Sequence, residues 1–185
     1  MKNLAKFSDG ISMKGTLTVI TRDAQTGKQL RRCEIRNKIT FGAADTLVEL
    51  WAQRTAPIDQ PPLQNRIYSM RMGTADTVAS RAHTNLGACV IGVELTDVNK
   101  VTGIAGELQF IAILGAGDAN GYTLQEAGLF TQGDISPPNP IGTSVIVDPV
   151  AGVGTPRMIS RQVHPAIPKS AAITIEYQWA IAFTA

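Results

Sequence analysis

The chain has 185 residues, enough for one domain with or without arms and for a sizeable buried core. Hydrophobic residues make up 44%, charged residues 17%, and the formal net charge is +2; low charge without low hydrophobicity excludes a disordered chain, and no apolar run reaches the roughly 18 residues that span a bilayer. Two His and two Cys supply neither a disulfide framework nor much material for acid–base or metal chemistry, so the composition disfavours an enzyme.

Residues 1–14 are mixed and polar and read as an N-terminal arm; they contain Lys2, Lys6 and Lys14 but no apolar segment of a secretory signal. Residues 15–22 alternate, with Leu17 and Val19 on one face and Thr16, Thr18 and Ile20 on the other, which is a strand pattern. Residues 23–28 carry turn chemistry in Asp23 and Gly27. Residues 29–37 return as a second strand that sets Cys33 and Ile35 against Leu17 and Val19, making a hairpin. Residues 41–55 predict one amphipathic helix: Phe41, Ala44, Val48 and Trp51 recur at helical spacing, Thr40 is a candidate N-cap, and Pro57 stops continuation. The proline-rich residues 55–64 read as a loop.

Beyond that point the chain reads as β. Candidate strands are 66–72, 88–95, 106–114, 122–130, 141–147, 157–163 and 172–183. The last has Ile173, Ile175, Tyr177, Trp179, Ile181 and Phe183 at alternate positions, so one face of a long strand is buried. Residues 115–121 (GAGDANG) form a hairpin loop, and 132–140 a rigid proline-rich one. The pattern predicts a mainly β protein: an antiparallel β-sandwich, jelly-roll-like or immunoglobulin-like, with one short helix near 41–55. Residues 15–185 form a single domain with extended loops at 55–65 and 131–141.

Tests for chemistry return little. GAGDANG resembles a dinucleotide loop only slightly, because a strand pattern follows it where phosphate capture needs a helix N-terminus. Asp118, Asn120 and Gly121 resemble a fragment of a calcium loop, but turn formation explains them more simply. His83 and His164 have no metal-ligand spacing, and Cys33 and Cys89, in alternating segments, read as buried structural thiols. Ser80 and His83 lack the strand–turn–helix setting of a nucleophile elbow. Glu126 stands out inside the apolar strand YTLQEAGLF, where a carboxylate requires a partner; Arg71 and Arg161 are the candidates. The basic cluster Lys28, Arg31, Arg32, Arg36 and Lys38 lacks the aromatics of a nucleic-acid site. It reads as a solvated, edge-protecting face, or as contact with an acidic protein partner.

One arrangement is familiar. A strand ends in Met72-Gly73-Thr74 and leads into a loop with Ser80, Thr84 and Leu86. ELQFIAIL follows, and then a strand with Glu126, Gly128, Leu129 and Phe130. Near the end come Arg161, Ile167, Lys169, Trp179 and Phe183 in SRQVHPAIPKSAAITIEYQWAIAF. This resembles tailed-bacteriophage virion structural proteins, in particular tail-fibre, tail-collar and baseplate-associated ones with an E-x-GLF strand. The resemblance covers about two-thirds of the chain and departs from tail fibres in lacking a repetitive shaft.

The resemblance implies a virion component, assembled in the host cytoplasm, that works through interfaces and catalyses nothing. A tail, collar or baseplate adaptor is the leading expectation, and a capsid decoration (cement) protein the alternative. The expected partners are copies of itself, as a trimer or a ring, and other virion proteins; no cofactor, metal, membrane or specific nucleic acid is expected. Glu126, Gly128, Leu129 and Phe130 are the expected structural motif, and Arg31, Arg32 and Arg36 the expected interface. A carbohydrate-binding module is the further alternative. It is weakened because Trp51 and Trp179 both fall on predicted core faces.

Overall fold

The computed structural model describes residues 12–40, 43, 67–101, 106–131 and 156–184. They form nine strands: β1 Ser12–Asp23, β2 Gln29–Ile39, β3 Ile67–Gly73, β4 Cys89–Glu94, β5 Asp97–Lys100, β6 Glu107–Leu114, β7 Thr123–Thr131, β8 Met158–Pro168 and β9 Ile173–Thr184. All pairings are antiparallel. The protein is mainly β, with two sheets. One runs β2-β1-β9-β6-β5 and the other β8-β7-β3-β4, and the β2–β8 pairing links them into one continuous nine-strand order.

The sheets are connected at two corners. At the first, β2 serves both: its earlier residues pair with β1, while Lys38 and Ile39 pair with Arg161 and Ser160 of β8. At the second, β4 ends and β5 begins within two residues. There the Leu95 amide donates to Tyr68 of β3 and the Thr96 amide donates to Ile111 of β6.

The period-two pattern explains the core. Ile175, Tyr177, Trp179 and Ile181 of β9 are buried, as are Leu17 and Val19 of β1 and Phe110, Ala112 and Leu114 of β6. They join Met70, Met72, Ile91, Val93, Leu124, Ala127, Leu129, Ile159 and Ile167 of the other sheet in one apolar cluster. Each of the Val, Leu, Ile, Phe and Met side chains among them contributes on the order of 1.5–3 kcal/mol through burial. The first hairpin has the expected register, Leu17 opposite Ile35 and Val19 opposite Cys33. Its turn is closed by Asp23, whose Oδ1 accepts from the Gln25 and Thr26 amides and the Thr26 hydroxyl. Gly27 follows at φ 69°.

Some expectations change. Residues 12–14, expected in the N-terminal arm, belong to β1; residues 1–11 lie outside the described residues. β8 runs on to Pro168. The short β5 was not anticipated: all four of its residues are exposed, so no alternation marks it. The helix near 41–55 lies outside the described residues except Ala43, which is helical and buried. The strand 141–147 and the loop 55–65 also lie outside them; of the expected loop at 131–141, Thr131 belongs to β7 and the rest lies outside the described residues. Among the described residues no helix is long and apolar enough to cross a membrane.

Candidate functional site

β7 lies between β3 and β8 and is covered on both faces. A bulge between Leu124 and Glu126, in the pairing with β8, changes its parity. Leu124, Ala127 and Leu129 therefore enter the main core. Glu126, Gly128 and Phe130 take the outer face, where residues 74–88 lie over them. Phe130 packs there with Leu86 and Met158 in a second, small apolar cluster.

Glu126 is fully buried beneath this cover. Arg161 is its partner: Nη2 stands 2.7 Å from Oε2 and Nε donates to the same oxygen at 2.9 Å. Three amides of the covering segment also donate to the carboxylate, Ala88 at 2.8 Å, Gly87 at 3.1 Å and Ala75 at 3.4 Å. Arg161 Nη1 reaches on to the Thr77 carbonyl and to His83 Nδ1, both at 2.9 Å. The Ser80 amide donates to the same Nδ1 at 3.1 Å. Two N–H groups aimed at Nδ1 require its lone pair, so the geometry assigns the ring proton to Nε2. Gln125 Nε2 adds a bond to the Thr74 carbonyl at 3.1 Å. The buried ion pair thus fastens a surface loop at both ends and in the middle.

Close approach fixes the glycines. A Cβ on Gly73 would stand 2.3 Å from the Ala88 carbonyl oxygen and 2.5 Å from Glu126 Oε1. One on Gly128 would meet Leu86 and Phe130 side chains at 3.0 Å and the Ser160 carbonyl at 3.1 Å. Gly73, Ser80, Leu86, Glu126, Gly128, Phe130 and Arg161, scattered in the sequence, therefore meet in one place. Leu129, the remaining member of the expected motif, belongs to the main core instead.

The other singled-out residues have separate surroundings. Arg71 does not pair with Glu126; its guanidinium stacks on Phe130, 4.3 Å from the ring centroid. Arg31, Arg32 and Arg36 are exposed on β2, far along the chain from the clamp, and Arg32 lies 3.8 Å from Glu34. Cys89 is exposed and Cys33 half-buried, so neither is the fully buried thiol expected; partial burial pushes the Cys33 thiol up. Ser80 and His83 form a turn, not a nucleophile pair: the Ser80 hydroxyl accepts from the Ala82 amide.

Residues 115–121 hold a cation of their own. The Lys169 ammonium donates to the Ser170 carbonyl at 3.0 Å, Asn120 Oδ1 at 3.2 Å and the Ala116 carbonyl at 3.4 Å. Of the residues considered for calcium, Asn120 thus faces a buried lysine, whose pKa burial holds below its usual value, and Asp118 Oδ2 accepts from the Gly115 amide at 2.7 Å. Among the described residues no group of three or more His, Cys, Asp or Glu is placed to hold a metal ion.

His164 is also buried, its Nδ1 3.0 Å from the Pro165 carbonyl and its Nε2 3.4 Å from the Tyr177 hydroxyl. A carbonyl only accepts, so Nδ1 carries the proton and Nε2 receives the hydroxyl. Burial holds the His164 pKa below its ordinary value and raises that of Tyr177.

The sequence offers Arg161 as one of two partners for Glu126, and the structure pairs them. The sequence does not point to His83, the loop amides or the Lys169 cage. Most of those contacts use backbone groups, which leave no residue signature. No protein-family profile, curated protein or solved structure matches the chain.

Proposed function

We propose that this chain is a structural subunit of a tailed-bacteriophage virion, a tail, collar or baseplate adaptor that assembles with copies of itself and with other virion proteins. In this reading the two sheets are the layers of a β-sandwich scaffold, and no reaction is catalysed. The observation that carries it is the clamp. Seven of the residues behind the phage resemblance, Gly73, Ser80, Leu86, Glu126, Gly128, Phe130 and Arg161, meet around a buried ion pair whose hydrogen bonds go to residues 74–88. The most deeply buried charges thereby order a surface loop. That loop carries Val78, 81% exposed, and is the kind of rigid display an assembly contact requires.

The test has two parts. Sedimentation of the purified chain reads its self-association. Negative-stain imaging of particles labelled at the C-terminus reads its location. Label on tails, with gene deletion producing tailless or fibreless particles, supports the adaptor role. Label on capsids, with deletion producing fragile but complete heads, assigns decoration instead. Particles without label reject both.

A further inference from the structure

Arg71 lies on the outer face of its sheet, at the border of the area that residues 74–88 cover. Toward β7 it meets Phe130, packed under Leu86. Toward β4 the surface is barer, with Cys89 and Glu94 exposed and Val90 and Gly92 half-buried. Both cross-strand neighbours are glycine, Gly92 and Gly128. The Arg71 stem lies over Gly92, where a Cβ would stand 3.4 Å from Cγ and 3.9 Å from Cδ.

Arg71 is only 9% exposed, yet its Nε and Nη2 are buried and donate no hydrogen bond. These nitrogens share one edge of the guanidinium, the edge that grips a carboxylate through two parallel bonds. Among the described residues no carboxylate serves it. Glu126 is held by Arg161 and the loop amides, and Glu94 accepts from the Tyr68 hydroxyl. The ring of Phe130 attracts the cation through its face and leaves the edge N–H groups unmet. Burial accordingly lowers the Arg71 pKa from its ordinary value. A buried guanidinium without a counter-charge weakens the isolated chain, and a bound anion removes that penalty.

We propose that Arg71 is an anion site whose ligand is a carboxylate, gripped by the Nε–Nη2 edge while Phe130 fixes the guanidinium plane. A single planar fork with no second free cation described beside it suits a monoanion better than a phosphate. Two sources share this chemistry: a small free carboxylate, or an Asp or Glu side chain of a neighbouring copy. The second source rests on the assembly role proposed above.

The experiment follows the Arg71 Nε–H resonance while sodium acetate replaces sodium chloride at constant ionic strength, with Arg71→Lys to assign the signal. A saturable shift with acetate supports a site open to free carboxylates. If the site takes a neighbour's side chain, acetate has no effect; Arg71→Gln then weakens self-association by about tenfold or more in sedimentation, the scale of one good ionic contact. Its urea midpoint stays level or rises, and Arg71→Lys keeps part of the association. No acetate response together with unchanged association overturns the proposal. Where the native chain does not self-associate, its proposed assembly with itself fails, and the acetate result alone decides the anion site.

Discussion

Glu126 has no exposed surface, and its oxygens receive Arg161 and three loop amides, so its removal strands a buried guanidinium. Breaking one side of a buried pair costs about 3–5 kcal/mol. Glu126→Ala should reduce unfolding stability by that amount in urea titrations; a loss within about 0.5 kcal/mol, the surface scale, would contradict the burial. Lys169→Met should cost less, about 1–3 kcal/mol, because it leaves uncharged oxygens unsatisfied; a neutral result would mean water replaces the ammonium. His164 gives a pH dependence of known sign. Its folded pKa lies below the unfolded value of 6.5 because burial disfavours the imidazolium. Above that pH the ring is neutral in both states and contributes nothing. As pH falls below it, the unfolded chain takes a proton that the folded chain refuses. Stability is therefore lost from about pH 6.5 down to the folded pKa, by at most about 1.4 kcal/mol per pH unit. Urea midpoints at pH 7.5, 6.5 and 5.5 read this slope, and His164→Gln should flatten it.

At the scale of elements, residues 74–88 are a loop with the anchoring of a strand. Bonds from Glu126, Arg161 and Gln125 hold Thr74, Ala75, Thr77, His83, Gly87 and Ala88, while Val78 projects between them. A fixed loop loses little entropy on docking, so an apolar tip on it is an effective contact. Val78→Asp should weaken assembly, read by sedimentation, and leave the urea midpoint within about 0.5 kcal/mol; unchanged assembly would remove this loop from the interface. Little of this was legible in advance. The sequence marks Glu126 because a carboxylate among apolar residues demands a partner. It does not mark the loop's order, because Asp76, Ser80 and Thr84 are ordinary loop residues and most of the bonds that fix the loop end on backbone atoms of Thr74, Ala75, Thr77, Gly87 and Ala88. The β2 edge is the reverse case. Among the described residues, Gln29–Arg36 have a strand partner on the β1 side only, and the charges of Arg31, Arg32 and Arg36 lie along that edge, an arrangement that suits edge protection.

For the whole molecule, period-two alternation made most strands legible, since β9, β1 and β6 each bury one face against the same core. The order of strands was not legible. It depends on β2 bridging two sheets and on the step from β4 to β5, where a residue pair crosses between layers with no turn signature. These corners have a consequence for unfolding. Neither sheet can open without exposing the apolar face of the other, because Trp179 and Tyr177 belong to one cluster with Met70, Met72 and Leu129. A core shared in this way favours one cooperative transition over two. Trp179 fluorescence, in a Trp51→Phe background, reports the sheet containing β9. Hydrogen exchange at the Met72 and Ala127 amides reports the other sheet. Both should give the same midpoint and the same free energy of opening. A separate, earlier transition at Met72 and Ala127 would mean that the β3–β7–β8 layer opens while β1 and β9 remain paired, and that the two corners do not couple the sheets.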